Sequence, residues 1–583
     1  MQPNSVVLYD AQNQHWLHFH SPVEVLTAYS PLEVTPLLET VQQQVDQQGY
    51  YAAGFMSYEA SPAFDPSFQV QPSQVQAGTD FPLAWFGLFT QPQVITLPDP
   101  PPETSMPLLW TPSLSRSRYR EAIEQIKNHI SQGNTYQVNF SFRLRSPFSG
   151  DPWCYFLQLI QAQKSLYGAF INLEDWAICC ASPELFFQWC DTTLISRPMK
   201  GTAPRGLDYR GDRYLAEALQ HSEKNQAENL MIVDMIRNDM GRIAQIGTVQ
   251  VPYLFEVEQY PTVWQMTSPV QCRTDANWVE IVQALFPCAS ITGAPKSRTM
   301  QIIADLEDSP RRIYTGTIGF LTPDRSAQFN VAIRTVLINK TQQEAEYGVG
   351  GGIVWDSAET DEFEECCTKA KILTQHQPSF ELLESLLWTP EAGYFLLDLH
   401  LQRLQTSASY FAFAVNWDEV QTQLRAIAST LPSASHKIRL RISKSGKIQL
   451  SAEYLSPCDR SRPLRVGIAK ESIEASNVFL YHKTTHRAIY EQAKQAYSEF
   501  DDVLLWNERG ELTESCIANL IVEQDGQWYT PPVQCGLLAG TMRAWLLQQG
   551  RVEERVLRLE DLHNSSRIFL VNSVRKIQAA IVS

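Results

Sequence analysis

The chain has 583 residues, which is too long for one hydrophobic core and allows about three or four folding units. Its hydrophobic content of 44%, with 14 Trp and 26 Phe, excludes a largely disordered chain, because such chains lack the apolar area that offsets the entropy of ordering. Lys and Arg number 47 against 63 Asp and Glu, which gives a formal net charge of −16. That charge disfavours a nucleic acid or an anionic membrane as the main partner.

The N-terminal residues carry neither a basic region nor an apolar run of the secretory kind, and no apolar run in the sequence has membrane-spanning length. The sequence therefore predicts a cytoplasmic protein without a membrane partner. Its eleven cysteines are scattered or adjacent and form no CxxC pairs, which indicates neither a disulfide framework nor a zinc site. No cysteine lies in a glycine-flanked nucleophile turn, so we predict no built-in glutaminase.

Predicted elements begin with an N-terminal block that ends at a proline-rich segment, residues 97–107, because successive prolines end regular structure. Next, three isoleucines recur at helical spacing before Gly133, which predicts a helix and then a strand over residues 118–142. Short apolar strands then alternate with helical stretches over residues 160–355, and a helix is predicted over residues 361–373.

A domain boundary is predicted at residues 374–379, a short polar stretch with a proline, after which new strand patterns begin. The sequence thus predicts two domains, residues 1–375 and residues 378–583. It contains neither an internal repeat nor a low-complexity tract.

Two lysines lie in settings that a merely solvated lysine does not need. Lys200 lies in the turn-rich segment RPMKGTAPRG, residues 197–206, where prolines restrict the backbone and Gly201 allows a ligand to approach closely. Lys483 lies far downstream in YHKTTHR, residues 481–487. The alternative for Lys200 is an ordinary lysine in a solvated turn. Together the two settings predict two active sites in series.

Six segments of the first half follow one another in a characteristic order. They are PEL at 183–185, RPMKGTAPRG at 197–206, ENLMIVDMIRNDMGR at 228–242, SITGAPKSRTM at 290–300, RRIYTGTIGF at 311–320 and GGGIVWDSAETDEFEECCTKA at 350–370. In this order they resemble the chorismate-utilising enzymes, which include anthranilate synthase component I, isochorismate synthases and aminodeoxychorismate synthase component I. Anthranilate synthases of this family carry alanine before Gly-Thr, whereas the aminodeoxychorismate branch carries lysine. Lys200 therefore points to the aminodeoxychorismate branch.

The resemblance implies an α+β protein that begins with a chorismate-binding fold, a two-sheet sandwich, and it makes Lys200 a covalent nucleophile. Nitrogen reaches ring carbon 4 of chorismate with retention more easily in two displacements, in which a lysine amine adds at carbon 2 and ammonia then expels it. Glu184 resembles the acid/base carboxylate that protonates the departing carbon-4 hydroxyl. Its alternative is a surface glutamate that follows a proline.

Chorismate carries two carboxylates, so an acidic protein needs a cation or arginines to hold it. By the resemblance, Glu228 and Glu365 hold Mg2+, an ion that keeps waters and uses one or two protein carboxylates. The implied substrate contacts are Ser290, Tyr314, Arg334, Gly350, Gly352 and Lys369. Glu365 and Lys369 are four residues apart on a predicted helix, and their alternative is a surface ion pair worth about 0.3 to 0.5 kcal/mol.

Gln265 departs from the family pattern, which usually has a histidine at this position. That histidine is linked to proton handling in the branches that aromatise the ring, so its loss argues against anthranilate production. The alternative is that Gln265 alters only the orientation of the substrate.

Four segments of the second half are also ordered. They are DLHLQRLQTSASYF at 398–411, FLYHKTTHR at 479–487, NERGELTESCIANLIV at 507–522 and CGLLAGTMRAWLL at 535–547. They resemble the class IV pyridoxal-phosphate aminotransferases, which implies a two-subdomain α+β domain. Lys483 then anchors pyridoxal 5'-phosphate (PLP), Glu514 pairs with its pyridinium nitrogen and Arg403 contacts its phosphate. Gly540 and Thr541 open a helix whose free N–H groups suit that phosphate. Taken singly, these residues have ordinary alternatives as surface charges, caps and turns.

The two resemblances predict a bifunctional enzyme of 4-aminobenzoate synthesis for folate. Chorismate is aminated in the first domain, and the second domain eliminates pyruvate after Lys483 removes the carbon-4 proton. Ammonia is expected from a separate glutamine amidotransferase subunit or from free ammonium, and a homodimer through the C-terminal domain is compatible with the sequence. Two alternatives stay open, an anthranilate- or isochorismate-type enzyme fused to a true aminotransferase and a non-catalytic scaffold that docks a glutaminase.

Overall fold

The computed structural model describes residues 1–72, 81–100, 108–163, 165–374, 378–457 and 462–582. The chain divides into two compact units, of which the first holds residues 1–204 and 216–377 and the second holds residues 205–215 and 378–583. Compact packing does not test independent folding, so the predicted domains, residues 1–375 and 378–583, stay predictions. No helix within the described ranges is both long and apolar enough to cross a membrane.

The first unit is built on strands that are mostly buried along their whole length. Its strands are Ser5–Asp10 (β1), His15–Phe19 (β2), Glu24–Ala28 (β3), Tyr51–Met56 (β4), Ala84–Phe89 (β5), Gln93–Ile95 (β6), Thr111–Pro112 (β7), Gln137–Pro147 (β8), Tyr167–Asn172 (β9), Trp176–Ser182 (β10), Leu185–Cys190 (β11), Thr193–Arg197 (β12), Met199–Pro204 (β13), Glu256–Gln259 (β14), Val263–Thr267 (β15), Val270–Arg273 (β16), Gly293–Ala294 (β17), Thr317–Thr322 (β18), Ser326–Val331 (β19), Thr335–Asn339 (β20) and Glu344–Ile353 (β21).

Helices cover the outer faces of these strands. The helices are Pro31–Gln48 (α1), Arg116–Ser131 (α2), Pro152–Ala162 (α3), Tyr209–Gln220 (α4, which begins in the second unit), Glu223–Gly241 (α5), Trp278–Leu285 (α6), Lys296–Leu306 (α7) and Glu359–Ala370 (α8), with 3-10 turns at Tyr58–Ala63, Ala289–Ile291 and Lys371–Leu373.

Two large antiparallel sheets form a sandwich in the first unit. One sheet has the order β17-β8-β21-β20-β10-β9-β1-β2-β6, with β7 also on β8, and the other has the order β16-β12-β11-β19-β18-β4-β5-β3. Strand β1 shows why both faces are apolar, because Val6 and Leu8 pack between the two sheets while Val7 packs under the helices. A small third sheet, β13-β15-β14, carries Lys200. The predicted two-sheet sandwich is confirmed.

The second unit has two sheets of its own. Its strands are Leu382–Thr389 (β22), Gly393–Tyr394 (β23), His436–Ile442 (β24), Ile448–Tyr454 (β25), Leu464–Ile468 (β26), Asp502–Trp506 (β27), Leu512–Ser515 (β28), Asn519–Gln524 (β29), Gln527–Thr530 (β30), Glu553–Glu554 (β31), Arg567–Asn572 (β32) and Lys576–Val582 (β33). Its helices are Leu397–Phe411 (α9), Trp417–Thr430 (α10), Ala488–Ala496 (α11), Thr541–Gln548 (α12) and Leu559–His563 (α13), with 3-10 turns at Val478–Leu480 and Val533–Cys535.

The smaller sheet of the second unit has the order β23-β22-β24-β25, and the larger has the order β28-β27-β26-β33-β32-β29-β30-β31. An additional pairing of β28 with β29 closes the larger sheet on itself. Each sheet has a separate apolar core, one with α9 and α10 and the other around β26, β29 and β32. The predicted two-subdomain α+β arrangement is confirmed.

Several local predictions agree with these elements. Helix α2 and strand β8 confirm the helix and strand predicted over residues 118–142, and Gly133 follows the helix with a left-handed φ of 73°. Helix α8 and the 3-10 turn after it confirm the helix predicted over residues 361–373. Parts of the predicted linker and boundary, residues 101–107 and 375–377, lie outside the described residues.

Candidate active sites

Lys200 lies on β13 at an irregularity in the strand. The register of β13 against β15 shifts between Met199 and Thr202, and Gly201 has a φ of 101°, which a residue with a side chain rarely adopts. The side-chain amide of Asn229 donates to the Lys200 carbonyl at 3.1 Å. This bulge is therefore fixed from α5 as well as from the sheet, and the Lys200 side chain is held in a cavity.

The Lys200 ammonium forms an ion pair with Glu228, with 3.1 Å between Nζ and Oε2. Glu228 lies on α5, whose first turn begins after Ser222, and the Ser222 hydroxyl accepts from the backbone N–H of Asn225. A β-carbon at Gly352 would overlap Lys200 Nζ, so only glycine leaves room for the lysine at this position. The structure thus brings the predicted nucleophile and a predicted metal ligand into contact.

Gln137 lies beside this site and was not predicted from the sequence. It is fully buried at the start of β8, and neither its amide oxygen nor its nitrogen has a hydrogen-bond partner within the described part of the chain. The β-carbon position at Gly352 that overlaps Lys200 Nζ lies 3.0 Å from Gln137 Nε2. An unpaired buried amide costs free energy, and this one lies beside the lysine.

Glu184 is buried where its carboxyl group can keep a proton. Its Oε1 accepts a hydrogen bond from the Ser290 hydroxyl at 2.7 Å and a longer one from the Met199 N–H at 3.4 Å. Burial raises the pKa of Glu184 to about 7, although both hydrogen bonds and the nearby Lys200 and Arg334 charges act in the opposite direction. A carboxyl group with this pKa can serve as a proton donor near neutral pH.

Arg334 and Lys369 bring positive charge to the first cavity. Arg334 has a left-handed φ of 51°, and its burial lowers its pKa. Lys369 Nζ lies 2.8 Å from the Glu365 carboxylate and donates to the Gly350 carbonyl at 2.8 Å. Burial disfavours the Lys369 ammonium, but Glu365 raises the pKa of Lys369 above its usual value. The helical pair that the sequence predicted therefore forms and also lines the cavity.

All the predicted residues of the first site line a single cavity. They are Glu184, Lys200, Glu228, Gln265, Ser290, Tyr314, Arg334, Gly350, Gly352, Glu365 and Lys369. The cavity also includes residues that were not predicted, among them Asn139, Lys224, Asn225, Tyr347 and Glu362. Apart from Glu362 and Lys224, these extra residues are uncharged, so no charge pattern in the sequence singles them out.

Gln265 holds the Lys200 strand. Its side-chain amide donates to the Gly201 carbonyl at 2.8 Å and accepts from the Thr202 hydroxyl at 3.1 Å. One amide thus spans the bulge next to Lys200. Both interpretations of Gln265, the loss of a proton-handling histidine and an altered substrate orientation, stay predictions.

The carboxylates of the first cavity fit a hydrated Mg2+. Within the described residues there is no group of three or more His, Cys, Asp or Glu side chains arranged to hold a metal ion. Glu228 and Glu365 nevertheless face the same cavity, and Mg2+ uses one or two carboxylates together with waters and substrate oxygens. The two glutamates therefore suit this ion in its usual mode of binding.

Lys483 lies in a short extended segment beside β22. The Leu383 N–H donates to the Lys483 carbonyl at 3.0 Å, and the Thr485 N–H donates to the Glu381 carbonyl at 2.9 Å. Burial, together with the Arg403 guanidinium, lowers the pKa of Lys483 to about 8. The uncharged amine, which is the form that reacts with a carbonyl, is thus more populated near neutral pH in Lys483 than in an ordinary lysine.

Glu514 lies on β28 of the second unit, and its carboxyl group accepts three hydrogen bonds. The Tyr490 hydroxyl and the Leu538 N–H donate to Oε1 at 2.7 and 3.0 Å, and the Asn519 amide donates to Oε2 at 3.0 Å. Burial raises the pKa of Glu514 to about 7 against these hydrogen bonds. The carboxyl group is therefore rigid and ready to balance a positive charge placed against it.

Arg403 lies on α9 and is gripped by a carboxylate that the sequence did not predict. Its Nε and Nη2 donate to the two oxygens of Glu384 at 2.9 and 2.7 Å, and its Nη1 donates to the Ala539 carbonyl at 3.2 Å. Helix α12 begins at Thr541 with Gly540 as its N-cap, which confirms the predicted helix start. A β-carbon at Gly540 would overlap the Asn519 side chain.

The predicted residues of the second site also share one cavity. It is lined by Arg403, Lys483, Glu514, Gly540 and Thr541. Further cations that were not predicted line the same cavity, namely Lys437, Arg439, Arg487 and Arg575. An amine of lowered pKa, a buried carboxyl group, an arginine and a helix N-terminus together fit a phosphorylated pyridine such as PLP.

Comparison with known proteins agrees with this division. Residues 4–375 match the family of chorismate binding enzymes, and residues 381–580 match the class IV amino-transferases. Aminodeoxychorismate synthase component 1 of Klebsiella aerogenes is 39% identical over 296 residues, which cover 50% of this chain and 64% of that protein. The protein of the same name from Escherichia coli K12 is 40% identical over 269 residues, which cover 46% of this chain and 59% of that protein. The chain thus matches less than two thirds of the length of either relative.

A solved structure also resembles the first part of the chain. Anthranilate synthase component I from Streptococcus pneumoniae TIGR4 superimposes with a TM-score of 0.53 and 24% sequence identity. The match covers 64% of this chain and 93% of that one. At this identity the match establishes the fold alone.

Proposed function

The chain belongs to the family of chorismate binding enzymes, and from this premise we propose that it converts chorismate to 4-aminobenzoate in two steps. In the first unit chorismate is aminated to 4-amino-4-deoxychorismate. In the second unit this product loses pyruvate. The observation that carries the proposal is the convergence of Lys200, Glu184 and Glu228 on one cavity in a chain whose relatives are named aminodeoxychorismate synthase component 1.

Amination begins with Lys200. Its neutral amine adds to carbon 2 of chorismate, the ring double bond shifts, and the carbon-4 hydroxyl leaves as water with a proton from Glu184. Ammonia then adds at carbon 4, the double bond returns and the Lys200 amine leaves carbon 2. Because the Lys200 ammonium is paired with Glu228 before reaction, the lysine must first give up this pair and a proton.

Substrate binding in the first cavity needs positive charge. Glu228 and Glu365 would hold Mg2+, which supplies charge for a substrate carboxylate when it is bound. Arg334 and Lys369 provide fixed positive charge, and the Tyr314 hydroxyl and the amides near Gly350 and Gly352 provide hydrogen-bond donors. The Ser290 hydroxyl, which also lines the cavity, donates to Glu184 and would orient the acid.

Elimination is assigned to the second unit. PLP would be held by Lys483, Glu514, Arg403, Gly540 and Thr541. When bound, it supplies an electron sink. The amine of Lys483 would accept the proton from carbon 4, and its pKa of about 8 suits a base that must also return a proton. Loss of this proton and of pyruvate leaves an aromatic ring. The cations at the cavity rim suit the carboxylates of this substrate.

Ammonia supply and cellular setting belong to the same proposal. We expect a separate glutamine amidotransferase subunit, or free ammonium, to provide the nitrogen. Cytoplasmic residence and a homodimer through the second unit stay predictions of the sequence.

One incubation tests the proposal. The full chain is mixed with chorismate, ammonium, Mg2+ and PLP, and products are identified by mass. We expect 4-aminobenzoate and pyruvate in equal amounts. Anthranilate or isochorismate as the product would replace the proposal with the first alternative, and unchanged chorismate without a PLP absorption change would favour the non-catalytic scaffold.

A further inference from the structure

Glu384 is a buried carboxylate at the centre of a hydrogen-bonded chain in the second unit. It lies on β22 and is 1% exposed, and its two oxygens accept the hydrogen bonds from Arg403 described above. Its Oε2 also lies 2.7 Å from Nδ1 of His400, which is equally buried on α9. Although burial acts to raise it, Arg403 and His400 hold the pKa of Glu384 well below its usual range. Glu384 is therefore an ionised acceptor.

His400 connects this carboxylate to the N-terminus of α12. Its second ring nitrogen, Nε2, lies 3.2 Å from the hydroxyl oxygen of Thr541, the first residue of the helix. Burial lowers the pKa of His400, against the opposing charge of Glu384, and thus favours the neutral ring. Because an ionised carboxylate can only accept, the single ring proton lies on Nδ1 and points to Glu384.

The tautomer decides where the Thr541 proton points. A bare Nε2 is an acceptor, so the hydrogen in its contact with Thr541 comes from the hydroxyl group. The hydroxyl then presents only lone pairs to the cavity. A phosphate dianion also presents only lone pairs, so this arrangement opposes a phosphate at Thr541 even though Arg403 and the helix N–H groups attract one.

A proton on His400 removes the conflict. The Nε2–H of the imidazolium donates to the Thr541 oxygen, and the hydroxyl hydrogen turns to the phosphate. The proton comes from solvent, and Thr541 keeps its own hydrogen and only changes its acceptor. The charged groups that face His400 are Glu384 from β22, Arg403 from the same helix and Lys483. A dianion placed beside the two cations offsets the repulsion that they exert on an imidazolium.

We propose that Glu384 and His400 are positioning residues of the phosphate site and that binding of a phosphate dianion there is accompanied by uptake of one proton at His400. Glu384 fixes Arg403 and the His400 tautomer together. The inference rests on the proposed PLP site, because it places the phosphate at Arg403 and Thr541.

Calorimetry can count this proton directly. Pyridoxine 5'-phosphate is the probe because it carries the phosphate but no aldehyde, so Lys483 does not react. It is titrated into the full chain, freed of PLP, at pH 8 in buffers of different ionisation enthalpy, with pyridoxine as the control without phosphate. The slope of binding enthalpy against buffer enthalpy gives the protons taken up. We expect about one more proton in the wild type than in His400→Gln.

The pH dependence of affinity provides a second measurement. Between the pKa of His400 in the free protein and its higher pKa in the complex, wild-type affinity should fall by up to about tenfold per pH unit, and His400→Gln should lack this slope. His436→Gln, which changes another buried histidine of the second unit, is the matched control and should keep the wild-type slope. Thr541→Ser should retain proton uptake, whereas Thr541→Val should lose it.

These outcomes separate the inference from the function on which it rests. Equal proton counts in the wild type and His400→Gln, with the phosphorylated probe bound to both, would overturn the inference and leave the PLP site intact. Loss of uptake in Thr541→Val with retention in Thr541→Ser supports it even if His400→Gln fails to fold. Failure of the wild type to bind the probe in preference to pyridoxine would instead refute the PLP site, and the inference with it.

Discussion

The two cavities share one chemical pair and differ in the charge around it. Each contains a lysine and a buried glutamate whose pKa is raised to about 7, Lys200 with Glu184 and Lys483 with Glu514. Lys200 is paired with Glu228, and its cavity also holds Glu362 and Glu365. Lys483 is in no ion pair of the described residues, and Arg403 helps to lower its pKa.

This difference in charge indicates which kind of ion each cavity can bind. The first cavity mixes carboxylates with lysines and an arginine, and therefore suits a bound cation in addition to its anionic substrate. Cations crowd the second cavity, which therefore suits a phosphate and the carboxylates of a substrate. The same residue type thus lies in an ion pair in one cavity, and in the other it is buried near an arginine, where its pKa is lowered.

The largest expected effect comes from Lys200→Ala. Without a nucleophile the first displacement has no covalent route, so formation of 4-amino-4-deoxychorismate should fall by roughly 10⁴-fold or more. Mass detection of products from chorismate and ammonium measures this. The absorbance change on adding PLP should equal that of the wild type. The control Lys371→Ala, at an exposed lysine after α8, should behave as the wild type in both measurements. A near-normal amination rate would remove Lys200 from the mechanism.

Lys483→Ala should give the complementary result. Loss of the anchor and base should slow pyruvate release by roughly 10³-fold or more, because proton transfer and cofactor attachment are lost together. Chorismate should still be consumed, so 4-amino-4-deoxychorismate should accumulate in a chromatographic assay. Lys470→Ala, an exposed lysine of the second unit, is the control. If no intermediate accumulated, the division of labour between the units would be wrong.

Removal of Mg2+ should inhibit the reaction of the first cavity and not that of the second, without any mutation. A chelator should reduce amination by roughly 10³-fold, since bound metal contributes several kcal/mol of charge stabilisation. Elimination from added 4-amino-4-deoxychorismate should be unaffected, because no metal-binding role is proposed for the second cavity. The two rates are measured in parallel with excess Mg2+ as the restoring control. Equal inhibition of both steps would contradict the comparison.

Glu184→Gln tests the raised pKa of the acid. Amination near neutral pH should fall by roughly 10²- to 10³-fold, because glutamine cannot protonate the leaving hydroxyl. Glu184 acts when protonated, so the wild-type rate should fall as pH rises through about 7. The variant should lack this fall in rate at high pH. Its glutamine oxygen should still accept the hydrogen bond from Ser290. A variant with the wild-type pH profile would assign this fall to another group.

Sequence reasoning succeeded where the signal was local. Gly540 before an apolar helix marks an N-cap, and the i to i+4 spacing of Glu365 and Lys369 places them on one face, where they pair at 2.8 Å. The sandwich followed from the family resemblance and from strands that are apolar on both faces. These features depend on a few neighbouring residues or on an ordered set of motifs.

The same reasoning missed contacts that depend on packing between distant elements. Glu384 meets Arg403, nineteen residues later, only because α9 packs on β22. Lys200 meets Glu228 because α5 packs on β13. The sequence does not distinguish Glu384 among its 63 acidic residues, and it marks Glu228 only through the family resemblance, as a metal ligand. The ion pair that each carboxylate forms therefore requires the fold.

Gln137 offers the finest test, because fold stability and activity should move in opposite directions. Its buried amide is unpaired within the described residues, and such a group costs about 1 to 3 kcal/mol. Gln137→Leu keeps the volume and removes this cost, so the free energy of unfolding should rise by about 1 kcal/mol in a denaturant titration. If the amide contacts the reacting groups beside Lys200, amination should fall about tenfold, which corresponds to one lost hydrogen bond. Gln163→Leu is the control for stability and should leave amination unchanged, because this buried glutamine donates to the Ala181 carbonyl at 3.4 Å. A more stable variant with full activity would show that Gln137 plays no part in the difference between the two lysine sites.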